Sequence, residues 1–184
     1  MGLKDHYDLM FFDEGGEFIV DVKTEKATKF VKRFKEFFKP SKHKITEKDR
    51  KTPNTDRLRV KDISKLYDHP DWRKGVDSCL SCAACTNLCP TCYCFEFCEI
   101  PALLAKSKSK RVREWSSCQL KEFTKVAGGH VFREERDQRF KHRIYHQLQY
   151  FKDKHGVNLC VGCGRCIQAC PTRIDFVKIL NEMK

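Results

Sequence analysis

Eight cysteines constrain this chain more than any other feature. They fall in two runs, Cys79-Leu-Ser-Cys82-Ala-Ala-Cys85-Thr-Asn-Leu-Cys89-Pro90 and Cys160-Val-Gly-Cys163-Gly-Arg-Cys166-Ile-Gln-Ala-Cys170-Pro171, each reading Cys-x-x-Cys-x-x-Cys-x-x-x-Cys-Pro. Three thiolates on one tight loop can cap three corners of a compact cubane, and the fourth corner needs a more distant thiolate. The pattern is that of two 4Fe-4S clusters. A lone Cys-x-x-Cys would be weak evidence, since zinc ribbons and thiol oxidoreductases share it. Two matching four-member runs, each closed by Pro, are far more specific. The rival from another class is a zinc-stabilised binding module, which would be colourless and hold zinc without iron.

In two-cluster ferredoxins the cysteine before Pro leaves its own loop and ligates the other cluster. On that pattern Cys79, Cys82, Cys85 and Cys170 are expected to hold one cluster, and Cys160, Cys163, Cys166 and Cys89 the other. Four further cysteines, Cys92, Cys94, Cys98 and Cys118, match no ligand spacing. They read as buried thiols, with cluster shielding and a third metal site as the alternatives. Nothing resembles a substrate-binding catalytic site or a Gly-rich dinucleotide loop. His142 and His146, one helical turn apart, read as a solvated pair rather than metal ligands.

The 184 residues include 12 Cys. In a secreted protein that would suggest disulfides, but no signal peptide precedes the hairpin, because Met1 to Lys4 leads straight into charged sequence. No apolar run approaches the roughly 18 residues that span a bilayer. The expectation is a soluble, cytoplasmic protein of a reducing, anaerobic cell, without membrane insertion. The formal charge is +12, and residues 23–74 hold 18 Lys/Arg against 8 Asp/Glu. A basic face can recruit nucleic acid or an acidic partner. No nucleic-acid motif accompanies it, so a solvated Lys-rich face is the reading and nucleic acid is not an expected partner.

The predicted fold class is α+β, with a small N-terminal β-hairpin plus helix module followed by a mainly helical ferredoxin-like domain. Residues 1–39 form the α/β module, 40–57 a polar linker, and 58–184 the two-cluster domain. Two β-prone runs flank Gly15-Gly16, giving a hairpin over 7–22. Thr24 caps a helix whose stripe of Ala27, Phe30, Val31, Phe34, Phe37 and Phe38 reads as core, ending at Pro40. Residues 58–67 suggest a short helix leading to Trp72, which either shields a cluster or packs in the core. The roughly 70 residues between the motifs read as mainly helical. They include a helix over 100–113 with a basic strip of Lys106, Lys108, Lys110, Arg111 and Arg113. The longest helix spans 133–155, with Glu135 four before Arg139 and Gly156 as its stop. Each Pro is expected to lead into helix, the last one turning Ile174, Val177 and Leu180 inward.

Beyond the cysteines, the chain carries Cys89-Pro-Thr-Cys92-Tyr-Cys94, Trp115-Ser-Ser-Cys118, Val126-Ala-Gly-Gly129, Arg133 with Gln138-Arg139, and Cys160-Val-Gly-Cys-Gly-Arg-Cys166. With these it resembles the family of two-cluster electron-transfer subunits typified by that of anaerobic sulfite reductase and by the beta subunit of soluble NiFe sulfhydrogenases. The resemblance covers roughly residues 6–182, without the long portion that such proteins carry upstream of the hairpin. It implies a relay subunit in a hetero-oligomer, with a flavin- and NAD(P)-binding subunit on one side and a terminal hydrogenase or sulfite-reducing subunit on the other. A heterodisulfide-reductase-type relay subunit and a free-standing ferredoxin-like carrier are the alternatives, and the long insert argues against the carrier.

Overall fold

The computed structural model describes residues 7–46, 48–49, 57–60, 62–102 and 108–183. The chain divides into two compact units, Met1–Thr55 and Asp56–Lys184.

The first unit opens with strands β1 (Leu9–Asp13) and β2 (Phe18–Val22), paired antiparallel with Leu9 opposite Val22 and Asp13 opposite Phe18. The turn is closed by Glu14 N donating to Glu17 O at 3.0 Å, while Gly15 takes a φ of 81° that favours glycine. Helix α1 (Glu25–Arg33) starts where Thr24 Oγ1 accepts from Ala27 N at 3.2 Å. It stops well before Pro40, because Phe34 leaves the helical region, and a short 3-10 turn follows over Lys35–Phe37. The Phe stripe is not the core that the spacing suggested. Only Ala27 of α1 is buried, while Phe30 and Phe37 are 47% and 78% exposed, and Phe30 leans on its own neighbour Phe34, the rings tilted by 50°. Residues 40–46 and 48–49 carry no helix or strand. Residues 47 and 50–56 lie outside the described set.

The second unit is built on a core of Ile63, Trp72, Val76, Phe140, Ile144, Tyr145, Leu148, Ile179, Leu180 and Met183. Trp72 belongs to it, packed edge-on against Phe140, with its indole N–H donating to Leu66 O at 2.6 Å. Of the helix expected over 58–67, none forms among the described residues 58–60 and 62–67. Tyr145 Oη donates to Ile63 O, and with Trp72 taking Leu66 O, side chains of other elements satisfy carbonyls that a helix would have used. A stretch this short lacks the length for a self-supporting helix. The 3-10 turn Pro70–Trp72 leads into helix α2 (Arg73–Val76), whose Gly75 packs against Phe140 and Ile179.

The segment after the first motif differs most from expectation. Instead of helix, strands β3 (Phe95–Ile100) and β4 (Lys110–Trp115) form an antiparallel ribbon, with Phe95 opposite Trp115 and Ile100 opposite Lys110. The alternation of Phe95, Phe97 and Glu99 with Arg111, Arg113 and Trp115 has period two, so these six share one face. Lys110, Arg111 and Arg113 of the basic strip thus lie on β4, Lys108 precedes it, and Lys106 is outside the described residues. Pro leads into helix only after the second motif.

The long helix does form. Helix α4 (Arg136–Tyr145) runs through a π turn (His146–Tyr150) into α5 (Phe151–His155), where Gly156 stops it at φ 76°. Glu135 caps it in a capping box with Gln138 rather than pairing with Arg139. Arg139 donates instead to the carbonyls of Gln119, Arg133 and Glu134. Helix α7 (Phe176–Glu182) closes the core through Val177, Ile179 and Leu180, and Ile174 packs partly against it. Among the described residues, no helix is long and apolar enough to cross a membrane.

Candidate metal centre

The two cysteine loops are built alike, residue for residue. In the first, Ser81 and Ala83 hold φ of 51° and 65°. In the second, Gly162 and Gly164 occupy the same places at 73° and 74°. This left-handed geometry turns backbone N–H groups toward sulfur. Ser81 N donates to Cys79 Sγ and Gly162 N to Cys160 Sγ, both at 3.4 Å. Each loop ends in one turn of helix, α3 (Ala84–Asn87) and α6 (Arg165–Gln168), and these two pack on each other. The Cys-Pro-Thr endings match too, with Thr91 Oγ1 against Cys89 Sγ and Thr172 Oγ1 against Cys170 Sγ, each at 3.4 Å.

The loops lie against the hydrophobic core, where Cys79 and Cys160 pack at its edge. Cys170 lines the same cavity as Cys79, Cys82 and Cys85, and Cys166 of the second loop lines it too. Cys89 is an electrostatic neighbour of Cys160 and Cys166, as is Cys163. Cys82 and Cys163 are the exposed members of their loops. Burial pushes the Cys85 thiol up to about 11, and Arg143 only partly offsets this. Cys89 is drawn down to about 4, chiefly because the Cys92 thiol donates to it, with Thr91 assisting.

The four remaining cysteines separate. Cys118 is buried, and its thiol donates to Cys94, holding Cys94 down to about 6 and pushing Cys118 itself up. Cys92 sits beside Cys89 and receives Gln147 Nε2 at 3.5 Å. Cys98 lies on β3 opposite Val112.

Gln147 is 1% exposed and ties the two motifs together. Its side chain reaches Thr91 and Cys92, while its carbonyl, inside the π turn, accepts from Leu159 N at 3.0 Å and Cys160 N at 3.2 Å. Arg143 enters from α4, donating to Cys85 O at 3.1 Å. Sequence reasoning missed both, since a lone Gln and a lone Arg in a helix carry no signal. The Thr residues had one, in the repeated Cys-Pro-Thr. His142 and His146 are not the solvated pair expected. Their rings stack at 5.8 Å, and burial, reinforced by Arg133 and His146, lowers His142 to about 4.

The donor set fits iron-sulfur chemistry. Five of the eight motif thiols line one cavity, backbone N–H groups donate to sulfur, and two buried polar atoms, Ser81 Oγ and Arg143 Nε, have no partner among the described residues. Comparison with known proteins agrees. The 4Fe-4S dicluster domain matches residues 78–174, more than half of the chain. The chain belongs to this dicluster family. It carries two 4Fe-4S clusters. It is also 36% identical over 174 residues to sulfhydrogenase 2 subunit beta of Pyrococcus furiosus, a match covering 93% of this chain and 49% of that protein. The chain thus spans about half the length of this relative. No solved structure matches.

Proposed function

We propose that this dicluster chain is the electron-relay subunit of a cytoplasmic multisubunit oxidoreductase. The observation that carries this is the packing of α3 on α6, which brings Cys85 of the first loop beside Cys166 of the second. Two redox sites that share a wall form a continuous path for electrons. We assign Cys79, Cys82, Cys85 and Cys170 to one cluster, and Cys160, Cys163, Cys166 and Cys89 to the other. A cubane with four thiolates supplies one-electron transfer and no open iron for substrate. The protein's own residues do the rest. Thr91 and Thr172 hydroxyls and the N–H groups of Ser81 and Gly162 direct hydrogen bonds at sulfur, which eases the build-up of negative charge there.

The relative's name, that of a sulfhydrogenase subunit, supports a multisubunit setting. The reading places a flavin- and NAD(P)-binding subunit on one side of this chain and a terminal hydrogenase or sulfite/sulfur-reducing subunit on the other. A flavin divides the electron pair of a hydride into the single electrons a cluster accepts. The test is gentle anaerobic purification from the native cell, with iron analysis of the isolated chain. About 8 iron per chain and co-elution with a flavoprotein are expected. Zinc without iron would overturn the cluster assignment, and a monomer serving several unrelated enzymes would overturn the relay.

A further inference from the structure

Arg143 is 7% exposed, yet its guanidinium forms no ion pair with a carboxylate among the described residues. Its Nη2 donates to Cys85 O, and its Nε, fully buried, has no hydrogen-bond partner among the described residues. A buried guanidinium left without countercharge is strongly unfavourable. Arg139, one turn earlier on the same helix, shows the ordinary solution, in which three backbone carbonyls take its donors. Arg143 has instead a wall of sulfur. It lines the cavity with Cys79, Cys82, Cys85, Cys166 and Cys170. Its electrostatic neighbours, Cys85, Cys92, Cys166 and Cys89, come from both loops.

We infer that Arg143 is the shared counter-ion of the two clusters, one fixed positive charge that raises the reduction potential of both. This rests on the two-cluster assignment above. A cubane with four thiolates carries about −2 when oxidised and gains a further negative charge on reduction. A cation beside it stabilises the reduced form more than the oxidised form, so the potential rises. Because Arg143 stands where the loops meet, the effect reaches both sites.

The experiment is a redox titration of the iron-loaded chain, followed by electron paramagnetic resonance under anaerobic conditions. The wild type is compared with Arg143→Met and Arg143→Lys, and iron is measured in each. Arg143→Met is expected to lower both potentials, each by at least a tenfold drop in its one-electron reduction constant, or about 59 mV. Arg143→Lys, which keeps the charge, shifts them less. Two clusters present at unchanged potential, or a shift in only one, overturn the inference while leaving the relay intact. Absence of cluster signals in the wild type overturns the cluster assignment and the inference with it. Should Arg143→Met take up no iron, Arg143→Lys decides. Loading with Lys sustains the counter-ion role, and failure with Lys as well assigns Arg143 to shape alone and overturns it.

Discussion

The left-handed residues of the two loops set up a controlled comparison within one chain. A non-glycine residue in this region costs about 1–2 kcal/mol, and the first loop bears that at Ser81 and Ala83 where the second uses Gly162 and Gly164. A Cβ added at Gly164 would meet nothing within 4 Å. Gly164→Ala should therefore lower stability by about 1 kcal/mol through backbone strain alone and leave the visible absorbance of the clusters unchanged, as anaerobic urea unfolding can check. His142 gives a pH-dependent counterpart. Its folded value of about 4 lies below the unfolded 6.5, so the unfolded state binds the proton first as pH falls. The stability it contributes is complete above about 6.5 and is lost progressively toward 4. It amounts to about 1–2 kcal/mol after allowance for partial exposure. His142→Gln should flatten the fall in the urea midpoint between about pH 7 and pH 5. The cysteines were legible because their chemistry lies in residue type and spacing. Arg143 and His142 were not, because their burial is set by what packs across from α4.

At the scale of elements, α2 packs closely on α4 and α7 through Gly75. A methyl group on Gly75 would come 2.5 Å from Phe140 Cζ and 3.0 Å from Ile179 Cδ1. Alanine is the better helix former, by about 1 kcal/mol, but overpacking a closed core costs about 1–3 kcal/mol. Gly75→Ala should therefore destabilise by about 1–2 kcal/mol, read from the denaturation midpoint. Leu180, with no exposed surface, should cost about 2–5 kcal/mol when cut to Ala. Hairpin β1–β2, helix α4 and helix α7 were readable because each has a clear period and a start or stop signal. The ribbon β3–β4 was not, although Phe95, Phe97 and Glu99 alternate. The basic, helix-tolerant residues 106–113 mask that alternation in the sequence, and cross-strand pairing decides the structure. The Phe stripe of α1 fails in another way: the helix forms over Ala27, Phe30 and Val31 but ends before Phe34, Phe37 and Phe38, and burial does not follow from the spacing even at Phe30.

For the whole molecule, the two units make separable demands. All eight motif cysteines lie in Asp56–Lys184, so that unit expressed without Met1–Thr55 should still take up about 8 iron, measured by iron analysis of the purified fragment. The proposed sharing of cysteines between the two loops has a further consequence, which concerns the unfolded chain. With Cys85 and Cys170 on one cluster, and Cys89 and Cys166 on the other, each inorganic centre staples together points some 80 residues apart, as a disulfide would. A single covalent closure of that length removes loop entropy from the denatured ensemble worth about 4–5 kcal/mol. Two nested closures of nearly the same span overlap, so the second adds less than the first. Stripping iron with a chelator should then loosen both loops in one transition, because neither staple can hold its far end without a partner from the other loop.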